Sequence, residues 1–138
     1  MSLPPLRFGY FVLAVADIAA MREWYCKVLD FTLLRTGRME ELEAEFAILE
    51  GHGIRLELGV HLGGRPERVP VLPSPAFMDQ LGWKVLTFHT EDLAALGAHL
   101  AANEVDIAWS AKPIAPGLGS TLFRDPEGNL INVFGPAE

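Results

Sequence analysis

Asp125-Pro126-Glu127-Gly128-Asn129, followed by the apolar run Leu130 to Phe134, has a counterpart earlier in the chain. Glu50-Gly51-His52-Gly53 leads into Ile54 to Val60 in the same way. At an offset of 75 residues Gly53 falls on Gly128 (128 − 53) and Glu57 on Asn132 (132 − 57). The same offset carries Asp17 onto Asp92 (92 − 17). Both quoted stretches carry the glycine or proline chemistry of a tight hairpin between two strands. Three anchors in one register mark a motif used twice. Two half-modules, each unable to bury its own apolar face, are expected to pack together and to hold a ligand between them.

Each half reads strand, helix, then three strands. Phe8 to Val15 is an apolar run, and Asp17 stands as an N-cap before Ile18, Met21, Tyr25, Val28 and Leu29 at helical spacing. In the second half Val85 to Thr90 is the strand and Asp92 the cap. Leu93, Leu96 and Leu100 form the buried face of a helix over Leu93 to Asn103. Short apolar, β-branched segments follow each helix: Phe31 to Thr36, Glu45 to Leu49 and Ile54 to Val60, then Ile107 to Ser110, Thr121 to Phe123 and Leu130 to Phe134. The expected organisation is a single α+β domain over 1–138. Its two βαβββ modules, about 6–61 and 83–135, are joined by a Pro/Gly-rich loop over 62–82.

That loop is too rich in breakers for a regular element and longer than most connections in a compact domain. Its apolar residues Val69, Val71, Leu72, Phe77, Met78 and Leu81 suit either a lid over a pocket or a crossover pinned to the sheet.

Composition narrows the function classes. Half of the 138 residues are hydrophobic, enough for one domain with a core, and no apolar run is long enough to span a membrane. The net charge of −7 argues against nucleic acid and anionic membrane surfaces as partners and tolerates a cationic ligand. The single cysteine, Cys26, cannot form an internal disulfide, which fits a reducing compartment, and a cytoplasmic protein is expected. No nucleophile–base set surrounds Ser2, Ser74, Ser110 or Ser120, and no phosphate-cradling glycine loop follows a strand.

The paired modules resemble the vicinal oxygen chelate superfamily, which includes glyoxalase I, extradiol dioxygenases, methylmalonyl-CoA epimerase, fosfomycin-resistance enzymes and bleomycin-resistance binding proteins. The resemblance rests on Val15-Ala16-Asp17-Ile18 leading to Trp24-Tyr25 and Val28-Leu29-Asp30-Phe31, and on the Asp125 to Asn129 hairpin with its apolar strand. It implies a curved mixed sheet around a central cavity, the glyoxalase/bleomycin-resistance-like fold. It also implies a homodimer, built side by side or by module exchange.

The resemblance further implies a metal site of two His and two Glu, or a three-ligand subset, on the first and fourth strands of each module. Carried over, those positions are Tyr10, Glu57, Val85 and Asn132, again 75 apart (85 − 10 and 132 − 57). Only Glu57 is a ligand of that type. Valine cannot coordinate, and tyrosine and asparagine are poor substitutes; a shift of one residue brings in Lys84, which is no better. His61 shares the parity of Glu57, and His89 that of Val85, but each lies four residues away, about 13 Å along a strand. His52 in its turn and His99 on a helix flank read as solvent-exposed. No metal cofactor is expected; the alternative is a divalent ion such as Zn, Ni, Mn or Fe.

Glu57 then reads as a ligand anchor for a cationic or hydroxyl-bearing molecule, or as a metal-free general base, paired with Tyr10 or the amide of Asn132. Aromatic residues over the predicted strands read mainly as core. Trp83 and Trp109, near strand ends, are placed to stack on a planar or cationic ligand. The expected ligand-binding set is Tyr10, Glu57, Val85, Asn132, His89, Trp83 and Trp109. The function expected is metal-independent binding of a small molecule. The alternatives are a lyase, isomerase or dioxygenase using an atypical metal or Glu57, and a domain whose cavity is filled by side chains.

Overall fold

A computed structural model of the chain describes residues 2–137. It shows two four-stranded mixed sheets of one topology, each with a helix. The first holds β1 (Phe11–Ala14), β2 (Thr32–Met39), β3 (Ala44–Gly51) and β4 (Ile54–His61) in the order β1-β4-β3-β2, with α1 (Ile18–Leu29). The second holds β5 (Val85–His89), β6 (Asp106–Ala115), β7 (Leu118–Arg124) and β8 (Leu130–Pro136) in the order β5-β8-β7-β6, with α2 (Leu93–Ala102). In each, the first strand pairs in parallel with the last and the remaining pairs are antiparallel. The chain divides into two compact units, Met1–Pro66 and Glu67–Glu138.

Each helix starts as its cap predicts. Asp17 accepts a hydrogen bond from the Ala20 N–H at 3.0 Å and Asp92 from the Ala95 N–H at 2.9 Å. Helix α1 buries Met21, Tyr25 and Val28 over β3 and β4, where Leu49, Leu56 and Leu58 are fully buried. Helix α2 buries Leu93 and Leu100, while Leu96 is half-buried. Gly135 lets Leu93 sit directly on the second sheet, since a Cβ there would fall 2.7 Å from both the Leu93 Cγ and the Thr90 carbonyl oxygen. At the same place in the first unit Glu45 faces Val60, and a cleft of about 400 Å³ lies between the start of α1 and β2–β3.

Both hairpins form, by different means. His52 and Gly53 take φ of 53° and 81° in a two-residue turn, with Gly51 paired to Ile54. The longer turn is organised by buried Asp125. One carboxylate oxygen accepts from the backbone N–H groups of Glu127 (2.9 Å) and Asn129 (3.0 Å), and the other from the Asn129 side chain (2.8 Å).

Several boundaries move. Strand β1 is only four residues: Phe8 would stand opposite Gly53 (8 + 45, as Phe11 pairs with Leu56), where β4 has already become the turn, and Gly9 and Tyr10 also lie outside the strand. Strands β2 and β6 run well past the segments read from sequence, since β3 and β7 continue to offer them partners. Trp83 lies outside β5. The connecting segment holds one short 3-10 turn, Ala76–Asp79, and from Glu67 onward it belongs with the second unit.

Candidate functional site

The faces of the two sheets turned away from their helices carry corresponding rows of residues. In the first sheet Val12, Glu57, Ile48 and Arg35 stand directly opposite one another across β1, β4, β3 and β2. In the second the row is Thr87, Asn132, Leu122 and Trp109 across β5, β8, β7 and β6. Side chains alternate between faces along a strand, so each row lies on the face opposite to buried Leu56, Leu58, Ile131 and Val133. A one-residue bulge before the last member of each row, at Leu34 and at Ala108, turns Arg35 and Trp109 onto this face. The bulges lie 74 apart (108 − 34), one step off the offset of the fourth strands.

The neighbour of Glu57 on β1 is therefore Val12, which is 67% exposed; Tyr10 precedes the strand, and no hydrogen bond joins it to Glu57 among the described residues. Glu57 itself is half-buried. Arg35, exposed, places its guanidinium 5.7 Å from the centre of the Phe46 ring. Next to Asn132 stands Thr87, with Val85 two residues earlier on the same face.

The second row is wired together. The Trp109 indole N–H donates to the Ser120 hydroxyl at 3.0 Å, and that hydroxyl donates to the Asn132 amide oxygen at 2.6 Å. Ser120 and Asn132 are both buried. The Lys112 ammonium covers the Trp109 ring at 4.5 Å from its centre. Over this face lies the connecting segment. Phe77 and Val71 pack with Leu122, Leu130, Val85 and Trp109. Arg124 secures the segment, donating through Nη2 to the Val71 carbonyl (2.8 Å) and through Nη1 to the Gly128 carbonyl (2.9 Å).

The remaining candidates are scattered. Trp83 is 97% exposed. His89, at the end of β5, is exposed and lies beside the Phe134 ring. His61 stands 3.7 Å from the Glu43 carboxylate on the surface. His52, exposed as expected, also has structural work: its Nε2 meets the Leu29 carbonyl at the end of α1, and its ring abuts Phe31. Cys26 on α1 has its thiol pKa raised by burial, an effect that Arg22 and the Leu33 backbone partly offset.

The donor set does not suit the divalent metal that the fold suggests. No group of three or more His, Cys, Asp or Glu residues converges among the described residues, and the amide oxygen of Asn132 is already engaged by Ser120. Sequence reasoning missed Arg35, Ser120 and Leu122 as members of these faces. The repeat, extended from the fourth strands to the second and third with one residue subtracted for the second hairpin, which is one residue longer (132 − 122 against 57 − 48), would have found Arg35 and Leu122.

Comparison with known proteins agrees with this architecture. The chain has a TM-score of 0.76 to the glyoxylase/bleomycin resistance protein/dioxygenase domain from Frankia sp. EAN1pec, at 23% identity over 99% of this chain and 95% of that one. The trypanothione-dependent glyoxalase I of Leishmania major gives 0.72 at 18% identity, covering 95% and 87%. TnmS3, an antibiotic binding protein from Streptomyces sp. CB03234, gives 0.66 at 20% identity, covering 98% and 99%. No curated protein sequence is detectably similar. The model of the Glyoxalase/Bleomycin resistance protein/Dioxygenase superfamily matches residues 7–133, and with the repeated βαβββ architecture this makes the chain a member of that superfamily.

Proposed function

We propose that the protein binds a small molecule without a metal, on the sheet faces turned away from the helices. The observation that carries this reading is the Trp109–Ser120–Asn132 chain. It holds Asn132, where the fold would place a metal ligand, as a fixed amide with N–H groups to offer a ligand. Likeness of fold to an antibiotic binding protein supports the same reading. In the first unit Glu57 supplies a carboxylate for a cationic or hydroxyl-bearing group, and the acidic chain favours cations.

The test is the metal content of purified protein, followed by calorimetric titration with zinc, nickel, manganese and ferrous iron. The expected result is no stoichiometric metal and no micromolar binding, with stabilisation by a cationic or aromatic compound in a thermal-shift screen. Stoichiometric metal lost on Glu57→Ala would instead favour the second reading, a lyase, isomerase or dioxygenase. Its support is the half-buried carboxylate of Glu57, which makes no ion pair among the described residues.

We further propose a cytoplasmic homodimer. Support for the dimer comes from β1, an edge strand whose Phe11 and Val12 are exposed beside exposed Phe8. A reducing compartment suits the single cysteine, and no helix among the described residues is long and apolar enough to cross a membrane. Light scattering after size exclusion decides the oligomeric state.

A further inference from the structure

Phe77 is buried against Leu122 and Leu130 on the face that carries Asn132, and from this we propose that the segment Val71 to Gln80 is an intramolecular plug that a planar aromatic ligand displaces. The inference rests on the metal-free binding reading and adds both its ligand class and its control.

Phe77 is 9% exposed although it belongs to a short 3-10 turn in a segment otherwise without regular structure. Its burial comes from Leu122 and Leu130, with Val71, Val85 and Trp109 around them. Leu122 is directly opposite Asn132, and Leu130 lies two residues before it on the same face, so the seat of the phenyl ring adjoins the Trp109–Ser120–Asn132 chain. An apolar slot bordered by an indole and a fixed amide suits a flat aromatic molecule carrying a hydrogen-bond acceptor.

Few contacts fasten the segment. The 3-10 turn is held by the Phe77 N–H to Pro73 (3.2 Å), Met78 N–H to Pro75 (3.0 Å) and Gln80 N–H to Phe77 (3.3 Å). Arg124 adds one hydrogen bond, to the Val71 carbonyl. Met78 and Leu72 on the same segment are 67% and 48% exposed, so Phe77 and Val71 supply its apolar anchorage. A closed plug and a bound ring exclude each other, and the apparent affinity falls by the fraction of molecules that are open.

The experiment titrates 2-naphthamide into wild-type protein, Phe77→Ala and Arg124→Gln, and follows amide hydrogen exchange of wild-type protein at saturation. Phe77→Ala is expected to bind at least about tenfold tighter than wild type, with a smaller gain for Arg124→Gln. In wild-type protein the amides of Phe77, Met78 and Gln80 should lose protection on binding. Equal or weaker binding by Phe77→Ala overturns the plug, as does failure of all three proteins to bind. If Phe77→Ala does not fold, the wild-type exchange arm decides. Binding with protection unchanged overturns the plug and leaves metal-free binding standing, whereas stoichiometric metal uptake overturns that reading whatever the segment does.

Discussion

The first unit centres its helix-distal row on an ionisable residue, Glu57, and exposes both ends, Val12 and Arg35. The second centres the corresponding row on an amide, Asn132, ties it to Ser120 and Trp109, and packs the chain's own Phe77 against its Leu122 and Trp109, leaving only Thr87 exposed. One topology thus supports two chemistries. The backbone ladder requires only that side chains alternate and that the helix face be apolar; the other face is free to diverge. The helix faces diverge too. Leu93 presses on Gly135, while Ile18, its counterpart (93 − 18 = 75), borders a cleft.

The largest test of this asymmetry is at the hairpins. Asp125→Ala removes a buried acceptor of three hydrogen bonds, and a loss of about 3 kcal/mol is expected in urea denaturation. A loss below about 1 kcal/mol would mean that Gly128 and Pro126 alone shape that turn. The His52-Gly53 turn draws on positive φ and on the contacts of His52 with the Leu29 carbonyl and Phe31, and His52→Asn, which tolerates that conformation but loses those contacts, should still cost less than Asp125→Ala.

Next in size is the glycine contact. Gly135→Ala drives a methyl group into Leu93 and the Thr90 carbonyl, and is expected to cost about 2 kcal/mol. Gly59→Ala, on β4 with nothing within 4 Å of the added carbon, should stay within about 0.5 kcal/mol of wild type. Equal effects would remove the distinction between the two units.

A smaller gain is expected at the helix exits. Asp30 after α1 and Glu104 after α2 hold φ of 56° and 55°, a region glycine occupies without strain. Asp30→Gly and Glu104→Gly should each raise stability by about 0.5–1 kcal/mol, read as higher urea midpoints at unchanged slope.

The smallest effect concerns Cys26, whose counterpart at the offset is Ala101 (26 + 75). Burial favours the neutral thiol, so the thiolate forms at higher pH than in an unhindered cysteine. The pH midpoint of iodoacetamide alkylation in native protein should lie above that of the urea-unfolded chain. A midpoint at or below the unfolded value would show that Arg22 outweighs burial.

Local chemistry was readable without coordinates. Asp17 and Asp92 each bond a backbone N–H three residues ahead, and the His52-Gly53 and Asp125–Asn129 turns satisfy themselves within a few residues, so both helices and both hairpins follow from short-range rules. Their recurrence at one offset set the βαβββ order. Pairing across strands was not readable: the bulges at Leu34 and Ala108, the end of β1 at Phe11 and the meeting of Val12 with Glu57 depend on partners some 15 to 45 residues away (49 − 34, 56 − 11). Nor was the seat of Phe77, since a Pro/Gly-rich segment has no periodicity to mark which apolar residue turns inward. Caps, turns and helical spacing are energies between neighbours in the chain and are written in the residue order. The covering of Asn132's face and the exposure of Val12 are energies of surfaces that meet only once the chain has folded.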